Sequence, residues 1–207
     1  MITPRPYLSY SQKNVWKSSP DRYIDMYLYD GRRVDSRETR YGSEVADALE
    51  NDELIGEPVI DTVLMRLPKF ELMDVKVDVV LEIGKEKIPL HGRMDSRRDD
   101  FTGFKEYKTG KYDKKGKPAW TQAKVDSDAQ ITFYATMCYL ITKKVPTDIE
   151  LDWIVTEWSP HDPTEIIATG EIKRFHTRRD MGAIINEMAD IRKVWGEINE
   201  RCKLELL

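Results

Sequence analysis

The stretch that most restricts the fold is LMDVKVDVVLEIG, residues 72–84. Met73, Val75, Val77, Val79 and Leu81 alternate with mostly polar residues, the period of a strand with one buried face. EKIPLHGRMDS follows as the expected hairpin partner and FTGFKEYKTG as a third strand, while IELDWIVTEW and TEIIATGEIKRF read as two more. Helical patterns surround them. SYSQKNVWKSSPDRYIDMYLYD is expected to be helical from a cap at Ser9 or Ser11, with Val15, Trp16, Tyr23 and Tyr27 among its apolar positions and a break or second start at Pro20. YGSEVADALEND carries Val45 and Leu49 at i, i+4 spacing, and the stretch from there to about residue 70 has no clear period. DSDAQITFYATMCYLI places Ile131, Tyr134, Ala135, Cys138 and Ile141 on one helical face, and DMGAIINEMADIRKVWGEINERC closes the chain as an amphipathic helix.

The order is helices, three strands, helix, two strands, helix, which predicts an α/β fold with a central mixed β-sheet flanked by helices. A length of 207 residues fits one domain. Within it, 1–70 is the mainly helical part, 71–157 the core sheet and helix, and 158–207 the final strand and helix.

Several classes of function fall away. No apolar run approaches the ~20 residues that span a bilayer, and the opening MITPRPYLSYSQ has no apolar signal region. No membrane role is expected, and the expected location is the cytoplasm, or the host cytoplasm for a virus-encoded chain. Cys138 and Cys202 are the only cysteines, far apart and without a CxxC, so neither a disulfide framework nor a cysteine-built metal site is expected. Both read as small buried hydrophobes. His91, His161 and His176 have no metal-ligand spacing and read as structural or solvated.

A net charge of −4 does not announce a nucleic-acid partner; the distribution says more than the sum, although the tail KYDKKGKPAW taken alone reads as a solvated hairpin and loop. Between Arg93 and Lys124 there are ten Lys or Arg against five Asp or Glu. Inside that basic rim sit Asp95, Glu106 and Lys108. Residues two apart on a strand share a face, so Glu106 and Lys108 point together while Tyr107 points away. If HGRMD pairs with FKEYK, Asp95 lies beside Glu106. Two adjacent carboxylates repel unless a cation separates them, and Mg²⁺ or Mn²⁺ prefers such oxygen ligands. A neighbouring lysine then steers a water or stabilises charge on a phosphoryl group, and a basic rim suits a phosphodiester.

These residues resemble the PD-(D/E)XK nuclease superfamily, in particular its RecB-like exonuclease branch. SYSQKNVWKSSPDRYIDMY is similar to the branch's N-terminal helix signature, and YGSEVADALE to its G-x-x-[VI]-H-x-x-L-E. GRMD and EYKTGK match its G-x-[IM]-D and D/E-x-K-T-G-K, and DAQITFYATM its Q-x-x-x-Y helix. The set occurs in the family's order over residues 9 to 141. The resemblance implies a restriction-endonuclease-like core and a metal-dependent deoxyribonuclease, acting as an exonuclease on linear DNA through a metal-activated water. Recombination, repair or viral DNA processing are the implied settings. Asp95, Glu106 and the carbonyl of Tyr107 would hold Mg²⁺ or Mn²⁺, and Lys108 would position the water. Gln130 and Tyr134, four apart on one helical face, would contact DNA or brace the site, as would Arg93 and Lys111.

Two departures stand out. Ala46 occupies the family's histidine position; Glu50, one turn later, is the candidate substitute ligand. Ser19 replaces the cysteine that holds an iron–sulfur cluster in some relatives, so no cluster is expected. Ala46 also favours a rival reading, a catalytically weakened nuclease-fold DNA-binding or scaffolding protein. The expected partner is DNA. An annealing or recombination protein, or a helicase, would complement an enzyme without unwinding motifs, and a homo-oligomer is compatible with either reading.

Overall fold

The computed structural model describes residues 5–31 and 36–205. Its spine is the β-hairpin of β2 (Leu72–Ile83) and β3 (Glu86–Arg97), paired antiparallel from Leu72↔Arg97 to Ile83↔Glu86. Gly84 turns the hairpin at φ +62°, a conformation that only glycine adopts without a Cβ penalty. The remaining strands are β1 (Leu8–Ser9), β4 (Gly103–Gly110), β5 (Asp148–Trp158) and β6 (Ile166–Thr177). β4 runs parallel to β5, and β5 antiparallel to β6, giving one mixed six-stranded sheet.

Helices cover both faces. On one lie α1 (Tyr10–Ser18), α2 (Pro20–Tyr27), α6 (Ala129–Thr142) and α7 (Met181–Glu205), packed around Trp16, Tyr23, Met94, Phe104, Phe133, Trp153 and Trp195. On the other lie α3 (Arg37–Asn51) and α4 (Pro58–Arg66), around Tyr41, Val45, Leu49, Ile60, Val63, Tyr107 and Ile154. A short α5 (Gln122–Asp126) leads into α6. The alternation of Trp153, Ile154 and Val155 between the two cores is the strand period at work.

The N-terminal pattern resolves into two helices. The Ser9 hydroxyl accepts from the Gln12 amide at 3.3 Å, and Ser19 caps a second helix whose first residue is Pro20, where a missing N–H costs nothing. In the aperiodic stretch before residue 70 the structure has α4, which begins at Pro58 without a side-chain cap. One expectation fails in detail: Ile141 is exposed, because α6 buries Phe133, Thr136 and Met137 along with the expected Ile131, Tyr134, Ala135 and Cys138. A helix enclosed on several faces has no single apolar stripe to read.

The sheet forks at its centre. β3 pairs with β1 at Leu90 and His91, and with β4 only at Ser96 and Arg97. Between them the edge of β3 facing β4 carries no ladder, so a gap opens beside the middle of β4. Gly92 lies at this gap because α6 comes so close: a Cβ there would stand 2.8 Å from Met137 Sδ and 3.1 Å from Tyr134 Cε1.

Candidate active site

Side chains take over the missing ladder at the fork. The Tyr107 amide donates to Asp95 Oδ2 at 2.8 Å, and the Tyr134 hydroxyl donates to the Arg93 carbonyl at 2.8 Å. The N–H and C=O of a strand residue face the same edge, so the Tyr107 carbonyl also faces the gap. Its side chain goes the other way, to the α4 layer, where its hydroxyl donates to the Pro68 carbonyl at 2.9 Å.

Glu106 is fully buried, and its Oε2 accepts from Lys108 Nζ at 2.8 Å and from Gln130 Nε2 at 3.0 Å. Gln130 also donates to the Tyr134 hydroxyl at 3.2 Å. Glu106 Oε1 is buried with no hydrogen-bond partner. Burial, followed by the nearby Asp95 charge, pushes the Glu106 carboxyl up to about 8. Burial raises Asp95 as well, with Lys108 pulling the other way. Burial alone would discharge Lys108, but Glu106 and Asp95 outweigh it and hold its ammonium above the usual lysine range. Two carboxylates that resist ionising, one with an orphaned oxygen, form a hard-oxygen donor set short of a positive charge, and a divalent cation fits that deficit.

The fork thus brings together Asp95, Glu106, Tyr107, Lys108, Gln130 and Tyr134. Arg93 and Glu50 form an adjoining cluster. Arg93 pairs with Asp74 and, at 2.8 Å, with Glu50 Oε2. Ala46, Glu50, Asp74, Arg93, Asp95 and Tyr107 are among the residues that line a cavity of ≈ 110 Å³. Asp74 lies opposite Asp95 in the hairpin and has φ +46°, rare for a non-glycine residue and a local break in the β2–β3 ladder. The sequence offers one trace of it, an acid inside an apolar-alternating strand. Tyr10 is a second residue that pattern reading passes over; its hydroxyl is raised by burial and feels the charges of Asp128, Lys108 and Glu106. Lys111 sits apart, bonded to Glu38 at 3.0 Å and lying over the Trp158 ring at 3.7 Å.

Among the described residues, the group of three ligand atoms within 4.8 Å of one another is elsewhere, at Asp148, Glu150 and His176. That spacing could hold a divalent ion. Its carboxylates already face cations, with Glu150 2.6 Å from Lys105 and Asp148 2.5 Å from Arg98.

No family model matches the chain, and no curated protein matches its sequence. Solved structures do. A putative exonuclease from Eubacterium rectale superposes with a TM-score of 0.60 at 12% identity, covering 97% of this chain and 82% of the other. The fold is that of solved exonucleases. A phage-related exonuclease from Haemophilus somnus 129PT gives 0.55 at 13% identity, with 94% and 83% covered. At such identities the likeness concerns the arrangement of sheet and helices, and the chemistry must be argued from the side chains. No helix among the described residues is long and apolar enough to cross a membrane.

Proposed function

We propose that this protein is a metal-dependent deoxyribonuclease of the PD-(D/E)XK type, resembling the RecB-like branch, that degrades linear DNA from its ends. The observation that carries this reading is Asp95 beside a fully buried Glu106, one Glu106 oxygen orphaned and the Lys108 ammonium 2.8 Å from the other. Asp95, Glu106 and the Tyr107 carbonyl would hold Mg²⁺ or Mn²⁺, with Glu50 the further oxygen across the cavity that Ala46 leaves open. When bound, the ion supplies a Lewis acid for the phosphoryl oxygen and makes water acidic enough to attack near neutral pH. Lys108 keeps its proton and would offer positive charge to the non-bridging oxygens on which the pentacoordinate transition state gathers negative charge. Gln130 and Tyr134 fix the orientation of Glu106 and of the Arg93 backbone, which preorganises the gap. Arg93 supplies positive charge beside the gap, paired with Asp74 and Glu50, whereas Lys111, bonded to Glu38, stands apart from it.

Incubation with end-labelled linear duplex and with closed circular duplex, in Mg²⁺, Mn²⁺ or EDTA, tests the reading. Metal-dependent shortening of the linear substrate, with the circle left intact, is expected. DNA binding without cleavage in either metal would favour the scaffolding reading, for which Ala46 is the motivating residue; discrete fragments from the circle would indicate an endonuclease.

A further inference from the structure

The turn that follows β4 is a built structure of a kind that a solvated loop does not need. Asp113 Oδ1 accepts from the amides of Lys115 and Lys117, both at 2.8 Å. The Asp113 amide donates to the Lys117 carbonyl at 2.9 Å, and Gly116, at φ +74°, donates to the Asp113 carbonyl at 2.9 Å. One carboxylate therefore locks a tight turn, as Asp side chains do in such positions. Its base is pinned as well. Trp153 Nε1 donates to the Gly110 carbonyl at 2.9 Å, Lys173 Nζ to the Tyr112 hydroxyl at 2.6 Å, and Lys124 Nζ to the Ala119 carbonyl at 2.7 Å.

This rigid knuckle displays Lys114, Lys115 and Lys117, all exposed. None of the three ammonium groups has a carboxylate within salt-bridge distance among the described residues; Lys76, Lys85, Lys124, Lys143, Lys144 and Lys203 are likewise without one, but only this turn gathers three such lysines in four residues. Three unpaired cations held at the end of the strand that carries Glu106 and Lys108 are poised for an external anion. The chain from Lys108 to Lys114 spans at most about 20 Å, which is about six phosphates along one strand of a duplex at 3.4 Å per charge.

We propose that the 113–117 turn is a second DNA contact, gripping the duplex backbone a few phosphates away from the bond at Lys108. This rests on the nuclease reading and extends it: the turn contributes sequence-independent hold on the substrate and no chemistry. Affinity from such contacts is recognisable by its salt dependence, because each neutralised phosphate releases counterions and adds about 0.9 to the slope of log K against log salt.

The test measures anisotropy of a fluorescent duplex between 50 and 200 mM NaCl. It uses Glu106→Gln protein to prevent cleavage, with and without Lys114→Ala, Lys115→Ala and Lys117→Ala together. Lys143→Ala with Lys144→Ala, at the far end of α6, serves as the charge control. The slope is expected to fall by roughly 2 to 3 in the triple variant and to stay unchanged in the control. An unchanged slope in the triple variant, or an equal loss per lysine in the control, overturns the assignment of the turn while leaving the nuclease reading intact. Absence of duplex binding by the Glu106→Gln parent at every salt concentration overturns both.

Discussion

The buried carboxylate makes the metal-free protein sensitive to alkali in a calculable way. Glu106 is fully buried, and its pKa moves from an ordinary 4.5 up to about 8. Folding therefore favours the protonated form. The resulting stability is complete below about 4.5 and is lost as pH rises through about 8. A difference of about 3.5 units at about 1.4 kcal/mol each sets a ceiling of about 5 kcal/mol. Asp95 and Lys108 titrate against the same group, so the observed loss should be smaller, about 2–3 kcal/mol. Glu106→Gln keeps the shape and removes this titration. Urea unfolding in EDTA from pH 5 to 9 should show wild type losing stability relative to Glu106→Gln as pH rises. Mn²⁺ at a hundred times its dissociation constant should return about 2.7 kcal/mol to wild type at pH 8, and far less to the variant. Parallel pH curves for the two proteins in EDTA would refute the reasoning, since every other titrating group is common to both.

Three further outcomes follow from the packing. Lys13 is 3% exposed and pairs with Glu187 and Asp190, tying α1 to α7; Lys13→Met should cost about 3 kcal/mol and lower the melting temperature by roughly 6–12 °C, which differential scanning calorimetry would register. Gly92→Ala should cost about 1 kcal/mol in chemical denaturation and reduce cleavage, because its Cβ would displace the Met137 side chain and crowd the Tyr134 ring that braces the fork. Tyr134→Phe removes the donor to the Arg93 carbonyl and should cost about 1–2 kcal/mol in the same assay, with kcat falling more than KM rises.

Much of the sheet was legible because a strand's period is short and local. Met73 to Leu81 declared β2, and pairing HGRMD with FKEYK puts Asp95 opposite Glu106, in line with the observed Ser96↔Lys105 register. Ser9 and Pro20 likewise placed two helix starts through capping chemistry confined to a few residues. What escaped depends on distant partners. At the fork α6 packs against Gly92, and Tyr134, 41 residues from Arg93, donates to its carbonyl where a strand partner is missing. Glu50 is held by Arg93, 43 residues away, and Lys111 by Glu38, 73 residues away, so no local spacing could say which acids face the gap. Asp74 needed a backbone conformation that the alternating pattern argues against. α4 was invisible for a related reason, since Glu57 provides no cap and Pro58 can open a loop as readily as a helix.

The most direct test of the central claim is single-turnover hydrolysis of an end-labelled linear duplex in Mn²⁺ by wild-type, Glu106→Gln and Lys108→Ala proteins, with EDTA as the blank. The fork accounts for cleavage if wild type shortens the duplex only with metal and each variant is slowed by at least roughly a hundredfold while still binding DNA. Cleavage at the wild-type rate by either variant would contradict it and place the chemistry elsewhere.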